Sequence, residues 1–595
     1  MTDFGAATSL PAMFFDQARA SADSNFLWAR QSGTYHPLTW HQVETAVKDL
    51  ARGLRDLGLK RGERVVLLAE NRPEWLIADL AIMSAGGITV PAYTTNTTGD
   101  HTHILTDSGA RGAIVSTRAL AKTLLPAAMG AADCHWVIGI EDLAQAQRGP
   151  VDVYLWQDVL AKGAAMPDDV AETVASLART DTACFIYTSG TGGVPKGVML
   201  SHGAIICNCM GAYHLLEQLG LGHEVFLTFL PLSHAYEHTA GQFFPLSIGA
   251  EIYYAAGIDK LAADMLEARP TIMTAVPRLY ETMYQRIIRA VNKEGGRKKK
   301  LFDLARRLGG KRYHDPRSLT LWERVLDLVA DRLVRSRMRA RFGGRLKVMV
   351  SGGAALNPDI GIFFTALGLR VLQGYGQTEA APVVAANPPY KVKMHTVGPP
   401  LKGVEVKIAE DGEILVRGEL VMQGYWRNEE ATAEALKDGW LHTGDIGRLD
   451  EDGYIQITDR KKDIIVLSGG DNVSPARIEG LLTLQAEIQQ AMVYGDKRPH
   501  LVAILVPDDE FLATFARENG KPADLSKLCD DPALHTALSG AVDRINRDLS
   551  PYERIRRFRV AGSTFTTDNK MMTPSLKVRR HVVFENYGKS LEDLY

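Results

Sequence analysis

The sequence predicts an α/β protein. It has a large N-terminal domain of several layered α/β subdomains that ends in a small β subdomain, followed by a smaller C-terminal α/β domain. Three observations predict this. Short apolar or β-branched runs alternate with helix-like segments from Arg64 to Ser351. The rhythm then changes to short strand-like pieces and Gly turns between Val404 and Thr458. After the charged run Asp459-Arg460-Lys461-Lys462-Asp463, strand and helix patterns resume in a unit large enough to fold alone.

Taken in order, Arg64 to Ala69, Gly112 to Ser116 and Trp136 to Ile140 read as the first strands. Asp181 to Tyr187 reads as a buried strand, and Ser201 to Leu219 as the helix that follows the glycine-rich stretch between them. Glu224 to Leu230, Glu251 to Ala255, Thr271 to Val276 and Leu346 to Ser351 are further strand-like runs of the large domain. The β subdomain, about residues 395–459, contains Val404 to Ala409, Glu413 to Val416 and Gly453 to Thr458. The expected division is therefore 1–459 and 460–595, with the boundary in the charged run.

The chain has 595 residues, 46% hydrophobic and 23% charged, enough to bury several cores. No run of 18 apolar residues and no basic-then-apolar leader occurs, so cytoplasmic residence is the expectation. Five scattered cysteines lack CxxC spacing, and Cys207-Asn-Cys209 reads as two helix thiols. The formal charge of −2 hides an asymmetry: residues 291–345 carry 17 Lys and Arg against 6 Asp and Glu. This basic helical insertion places Leu333, Val334, Met338 and Phe342 among arginines in an amphipathic pattern. Two readings stand, peripheral contact with an anionic membrane surface and a solvated helical hairpin. No nucleic-acid reader motif or interleaved aromatics accompany the charge, which excludes nucleic acid as the expected partner.

Chemistry concentrates in short loops. In Tyr187-Thr188-Ser189-Gly190-Thr191-Gly192-Gly193-Val194-Pro195-Lys196-Gly197, glycines let backbone N–H groups approach phosphate oxygens, Thr188, Ser189 and Thr191 add hydroxyl donors, and Lys196 adds a point charge. Gly197 follows Lys196 where a P-loop requires a magnesium-binding hydroxyl. Ser351-Gly352-Gly353-Ala354-Ala355-Leu356 offers a shelf of small residues for a flat ring. Gly374-Tyr375-Gly376-Gln377-Thr378-Glu379 supplies an aromatic face for adenine, a hydroxyl for phosphate and a carboxylate for Mg²⁺. Asp445, in Leu441-His442-Thr443-Gly444-Asp445, is expected in a turn where it accepts hydrogen bonds from both ribose hydroxyls, and Arg460 joins the same sugar.

The glycine-rich stretch resembles the TSGTTGxPKG signature of the adenylate-forming superfamily, with Gly192 where Thr is usual. The other motifs follow in that family's order, and the resemblance extends from about Thr39 to Arg580. Glu70-Asn71-Arg72-Pro73-Glu74-Trp75, Ser468-Gly469-Gly470-Asp471-Asn472-Val473 and Thr573-Pro574-Ser575-Leu576-Lys577-Val578-Arg579-Arg580 look most like the long-chain fatty-acyl-CoA ligases.

That resemblance implies activation of a medium- to long-chain fatty acid by ATP and Mg²⁺ to acyl-AMP and pyrophosphate, then transfer of the acyl group to coenzyme A. It implies Lys577, Thr378, Glu379 and His234 as catalytic residues, with His234 equally readable as a hydrogen-bonded core histidine. Glu379 and Thr191 are the metal positions. Thr188, Ser189, Gly190, Thr191, Gly192, Lys196, Gly353, Ala354, Tyr375, Asp445 and Arg460 are the nucleotide positions. It also implies a mobile C-terminal domain that swings about a hinge at Lys462, withdrawing Lys577 and bringing Ser468, Gly469 and Gly470 toward the pantetheine tunnel. Alternatives are a fatty-acyl-AMP ligase serving a carrier protein, a ligase of aryl or other acids, and a catalytically idle membrane scaffold. A peptide-synthetase module is a further alternative, and the 18 residues that follow Lys577, where a carrier domain would be expected, count against it.

Overall fold

The computed structural model describes residues 3–143, 149–188, 194–573 and 577–595. Two eight-stranded sheets dominate the large domain. In the first, Val371–Gly376, Val348–Ser351, Ile272–Ala275, Val225–Thr228, Glu251–Tyr254 and Asn25–Gln31 run in parallel. Antiparallel edge strands, Val383–Ala386 and Thr34–Thr39, close its two ends. In the second, Thr182–Thr188, Ile88–Pro91, Arg64–Leu68, Gly112–Val115, Trp136–Gly139 and Asp152–Leu155 are parallel, and Lys196–Ser201 and Gly424–Tyr425 add antiparallel strands at one edge.

The same core that packs these sheets takes in helices that are apolar nearly all round, as helices covered on both sides must be. In Pro73–Ser84 every residue except Glu74 is buried, and His202–Leu216 buries ten residues. Cys207 and Cys209 both lie in that second helix, as expected. Burial pushes the Cys207 thiol up to about 11, so it is protonated near neutral pH. Two other helices, Trp40–Asp56 and Trp156–Ala164, cross at glycines: a Cβ on Gly163 would collide with the carbonyl oxygen of Asp49, and one on Gly53 with Val159.

The strands that the sequence predicts fall within about two residues of the observed bounds, while Asn25–Gln31, Thr34–Thr39, Ile88–Pro91, Asp152–Leu155, Val371–Gly376 and Trp440–Leu449 are strands that it does not predict. The glycine-rich stretch does not lead directly into a helix. It joins two antiparallel strands, with Thr188 opposite Lys196, and the helix starts only at His202. Val198 and Leu200 are buried in a six-residue strand too short to stand out by alternation.

The β subdomain pairs Glu405–Ile408, Glu413–Arg417, Trp440–Leu449 and Leu436–Lys437, with Ile455–Arg460 on the other side of Trp440–Leu449. Beyond it, a three-stranded sheet of Ile488–Tyr494, Leu501–Pro507 and Ile555–Val560 separates two cores by strict alternation. Leu501, Ala503 and Leu505 pack with helices Pro475–Thr483 and Pro532–Asn546, whereas Val502, Ile504 and Val506 pack with Val583 and Leu591 of helix Arg580–Glu592. This unit meets helix Pro277–Glu294 through Arg289–Asp508 at 2.6 Å and through Arg278 donating to the Gln489 carbonyl at 3.1 Å.

The basic insertion forms helices Gly296–His314, Leu321–Ala330 and Ser336–Arg341. Its predicted apolar stripe is corrected in part. Met338 and Phe342 are buried in the core of the large domain, while Leu333 points outward.

Candidate active site

Segments from the large domain, the β subdomain and the C-terminal unit come together at one site. The strand Val371–Gly376 delivers Tyr375 at its end, and the tight turn Thr378–Ala380 that follows carries a buried Thr378 and a half-exposed Glu379. At the end of Val348–Ser351 the chain turns through Gly353, whose φ of 82° is left-handed, and leaves Ala354 and Ala355 exposed. The shelf can be flat because Gly352 lacks a side chain: a Cβ there would sit 2.9 Å from the Tyr236 ring. Tyr236 is held in turn by its hydroxyl, which donates to the Val350 carbonyl at 2.9 Å.

Asp445 is not in a turn. It lies within the ten-residue strand Trp440–Leu449, directly opposite Arg460 on the neighbouring strand. Its Oδ2 accepts from the Tyr375 hydroxyl at 2.6 Å and its Oδ1 from Arg460 Nε at 3.1 Å. A carboxylate oxygen has two lone-pair directions, so each can still accept one further hydrogen bond. Burial, and then the charge of Asp445, raise the Tyr375 hydroxyl well above its ordinary pKa, so it stays a donor.

Glu379 Oε1 accepts from the Tyr425 hydroxyl at 2.9 Å, and Lys196 Nζ lies 5.0 Å from the centre of the Tyr425 ring. Pairing of Gly424–Tyr425 with Lys196–Ser201 creates this arrangement, placing one aromatic between the lysine and the carboxylate. Thr188 is half-buried at the mouth of the same hairpin. Ser189, Gly190, Thr191 and Gly192 lie outside the described residues.

Lys577 arrives from the C-terminal unit. It is exposed by area, yet protein lies close enough around it to desolvate the ammonium. That desolvation, with the positive charge of Arg460 and against the negative charges of Asp445 and Glu379, pulls its pKa down to about 8. Its charge is also felt at His234, whose pKa burial pulls down to about 4, so the imidazole is neutral. His234 Nδ1 accepts from the Tyr236 backbone N–H at 3.2 Å, which leaves the ring proton on Nε2 as a donor.

Lys462 sits in a turn between anchored neighbours. Lys461 N donates to the Gly444 carbonyl at 2.8 Å and its ammonium pairs with Asp411 at 2.6 Å, whereas Asp463 N turns back onto the Arg460 carbonyl at 2.9 Å. Ser468, Gly469 and Gly470 are exposed at the tip of the hairpin Ile465–Val466/Asn472–Val473. Among the described residues, no hydrogen bond or ion pair joins that tip to Asp445, Glu379 or Lys196.

Comparison with known proteins gives the family. The family profile described as AMP-binding enzyme matches residues 14–426, and that of the AMP-binding enzyme C-terminal domain matches residues 462–595. The chain belongs to the AMP-binding enzyme family. It is 35% identical to the long-chain-fatty-acid–CoA ligase FadD15 of Mycobacterium tuberculosis, over 99% of this chain and 97% of that one. It is 31% identical to the peroxisomal long chain acyl-CoA synthetase 6 of Arabidopsis thaliana, over 95% and 82%. Among solved structures, the A-PCP didomain of a carboxylic acid reductase from Segniliparus rugosus, in complex with AMP, shares the fold at a TM-score of 0.80 and 22% identity. The match covers 99% of this chain and 82% of that one. A benzoate CoA ligase from Burkholderia xenovorans shares it at 0.71 and 22%, over 97% and 99%.

In this AMP-binding enzyme, two residues escaped the motif reading. Tyr425 bridges Lys196 and Glu379, but nothing local distinguishes it from a structural aromatic. Glu413 accepts from Gly444 N at 2.8 Å and from the Lys461 ammonium at 3.2 Å, tying together the residue before Asp445 and the residue before Lys462. Its only sequence signal is a carboxylate at a buried strand position.

Proposed function

We propose that the chain is an ATP-dependent, AMP-forming fatty acid–CoA ligase acting on medium- to long-chain acids. The observation that carries the reading is the meeting of Lys577, from the C-terminal unit, with Glu379, Asp445 and Arg460 in one cleft. The naming of the full-length relatives as long-chain ligases supports the acid class.

Adenylation joins a carboxylate to the α-phosphorus of ATP with loss of pyrophosphate, and the catalytic problem is the charge that builds on the phosphoryl oxygens. Lys577 and Lys196 oppose that charge. Asp445 and Arg460 hold the ribose, the Tyr375 ring lies against the base on the Gly353–Ala354 shelf, and Thr378 donates to phosphate. His234, neutral with its proton on Nε2, donates to the substrate carboxylate and orients it. Mg²⁺ fits the donor set: one half-exposed carboxylate with no paired cation among the described residues suits an ion that keeps waters and takes the rest of its shell from phosphate. Glu379 and Thr191 would hold it, and when bound it would neutralise phosphate charge. In the second step the CoA thiolate attacks the acyl carbonyl and AMP leaves. Rotation about Lys462 exchanges Lys577 for the Ser468–Gly470 tip, so that the two arrangements are presented in turn. The reading places the enzyme in the cytoplasm, with the basic segment 291–345 as its contact with membrane.

The deciding experiment is pyrophosphate release over acids from acetate to about C20, with and without CoA. Graded preference for longer chains is expected, since each buried CH₂ contributes about 0.8 kcal/mol, together with CoA-dependent AMP release. AMP release independent of CoA points to a carrier-protein acceptor, and preference for aryl acids to a different ligase.

A further inference from the structure

The helix Leu321–Ala330 is turned inside out. Leu321 is 80% exposed, Trp322 70% and Leu328 73%, and Val325, Val329 and Leu333 share the same outward face. The spacing of these residues is that of one helical stripe, ordinarily the face that packs against a core. Here the charges face inward instead. Glu323 accepts from Lys311 at 2.7 Å, Asp327 is bound by Arg312 at 2.9 Å and by the fully buried Arg335 at 2.6 Å, and Asp331 by Arg339 at 2.9 Å. All three carboxylates of this stretch are thus neutralised within the hairpin. What remains outward, among and beside the apolar side chains, is Arg324, Arg332 and Arg337, which form no ion pair among the described residues.

We propose that this face is a lipid-docking surface, in which Leu321, Trp322, Val325, Leu328, Val329 and Leu333 enter the headgroup–acyl boundary of an anionic bilayer and the three arginines pair with lipid phosphate. Charge complementarity selects this occupant. An apolar stripe studded with unpaired arginines matches an interface that is apolar below and negative above. A second copy of the chain presenting the same face would bring arginines against arginines. Ten residues are too few to span a bilayer, and no helix among the described residues is long and apolar enough to do so, so the helix lies in the membrane plane. The surface stands independently of the ligase reading, although a substrate dissolved in the bilayer gives such a contact an obvious use.

The test is flotation of the full chain with vesicles of phosphatidylcholine containing about one-third phosphatidylglycerol, at moderate salt. Two double variants are compared with the parent: Trp322→Glu with Leu328→Glu, which removes the apolar anchor, and Arg324→Glu with Arg332→Glu, which removes the charge. Thermal melts confirm that both remain folded. The parent is expected to float, and each variant to lose about tenfold or more in bound fraction. Failure of the parent to bind, or binding by both variants at the parent's level, would overturn the proposal. So would self-association of the parent in vesicle-free buffer that the apolar variant abolishes. None of these readouts involves turnover, so the ligase assignment is unaffected by any of them.

Discussion

Asp445 and Arg460 stand opposite one another on paired antiparallel strands, with Arg460 Nε 3.1 Å from Asp445 Oδ1, and the Tyr375 hydroxyl reaches the other carboxylate oxygen at 2.6 Å. The strand that ends at Arg460 also leads directly into the turn at Lys462, so the Asp445–Arg460 pair sits two residues from the chain exit toward the C-terminal unit.

If Asp445 accepts from the ribose hydroxyls, its loss removes charge-assisted hydrogen bonds worth about 1.5–3 kcal/mol. Asp445→Asn is expected to raise the dissociation constant for ATP by roughly tenfold to 100-fold. Titration calorimetry with ATP and with its 2′,3′-dideoxy analogue checks this. The parent should discriminate between the two nucleotides and the variant should not. Equal discrimination by both proteins would remove Asp445 from the sugar.

Lys577 gives a pH prediction with a definite sign. Its pKa in the closed cleft, about 8, lies below the ordinary 10.5, so the closed arrangement carries a penalty while the side chain is charged, and this penalty fades between about pH 8 and 10.5. Catalysis runs the other way, because the cation itself is lost as pH rises through 8. Adenylation kcat/KM, measured by pyrophosphate release, should fall along an alkaline limb near pH 8. In Lys577→Arg that limb should move beyond the accessible range, and Lys577→Ala should lose on the order of 10² to 10³ in rate. An unchanged alkaline limb in Lys577→Arg would show that another group titrates. His234, held near 4, should contribute no step at its ordinary pH of about 6.5.

The contrast between these residues and the rest shows what the sequence can carry. Glu379 is picked out by a short run that sets an aromatic, a hydroxyl and a carboxylate side by side, whereas Lys577 reads alone as a surface lysine and is picked out only because its run resembles a family motif. The setting of Asp445 was not legible, since Thr443-Gly444-Asp445 has the composition of a turn while strand pairing with Ile455–Arg460 overrides it. Lys196–Ser201 escapes sequence reading because so short a strand is defined by its partners, Thr182–Thr188 across the hairpin and Gly424–Tyr425 on its other side. The outward stripe of Leu321–Ala330 was illegible for a stronger reason. Periodicity marks an apolar face without saying which way it points, and its direction was decided by Lys311 and Arg312 of another helix and by the buried Arg335, which draw the acidic face inward.

Lys462 tests the hinge. Lys461 is tied to Gly444 and Asp411, so under the proposed mechanism Lys462 is where rotation between the two units would be absorbed. Lys462→Pro fixes φ and should leave single-turnover formation of acyl-AMP within about threefold of the parent, while slowing thioester formation by on the order of 100-fold. Rapid-quench measurement of the two half-reactions separates the cases. An equal loss in both would mean that the substitution merely distorts the turn.

Glu237 offers a stability test beside the cleft. Its carboxyl is fully buried on the π-helical turn Glu237–Phe243, with Oε2 accepting from Thr274 Oγ1 at 2.6 Å, and burial pushes its pKa up to about 8 against an ordinary 4.5. The folded protein therefore holds a proton that the unfolded chain releases between about pH 4.5 and 8. Where the native state binds more protons, stability declines as pH rises. It should fall across that window and level off above it, by a few kcal/mol in all. Glu237→Gln keeps an acceptor for Thr274 and cannot ionise, so its stability should be flatter with pH. Melting temperatures of the two proteins compared at pH 5 and pH 8 should diverge, with the parent losing more on the alkaline side. Parallel curves would mean that Glu237 is ionised in the folded state and that water or an unrecognised partner neutralises it.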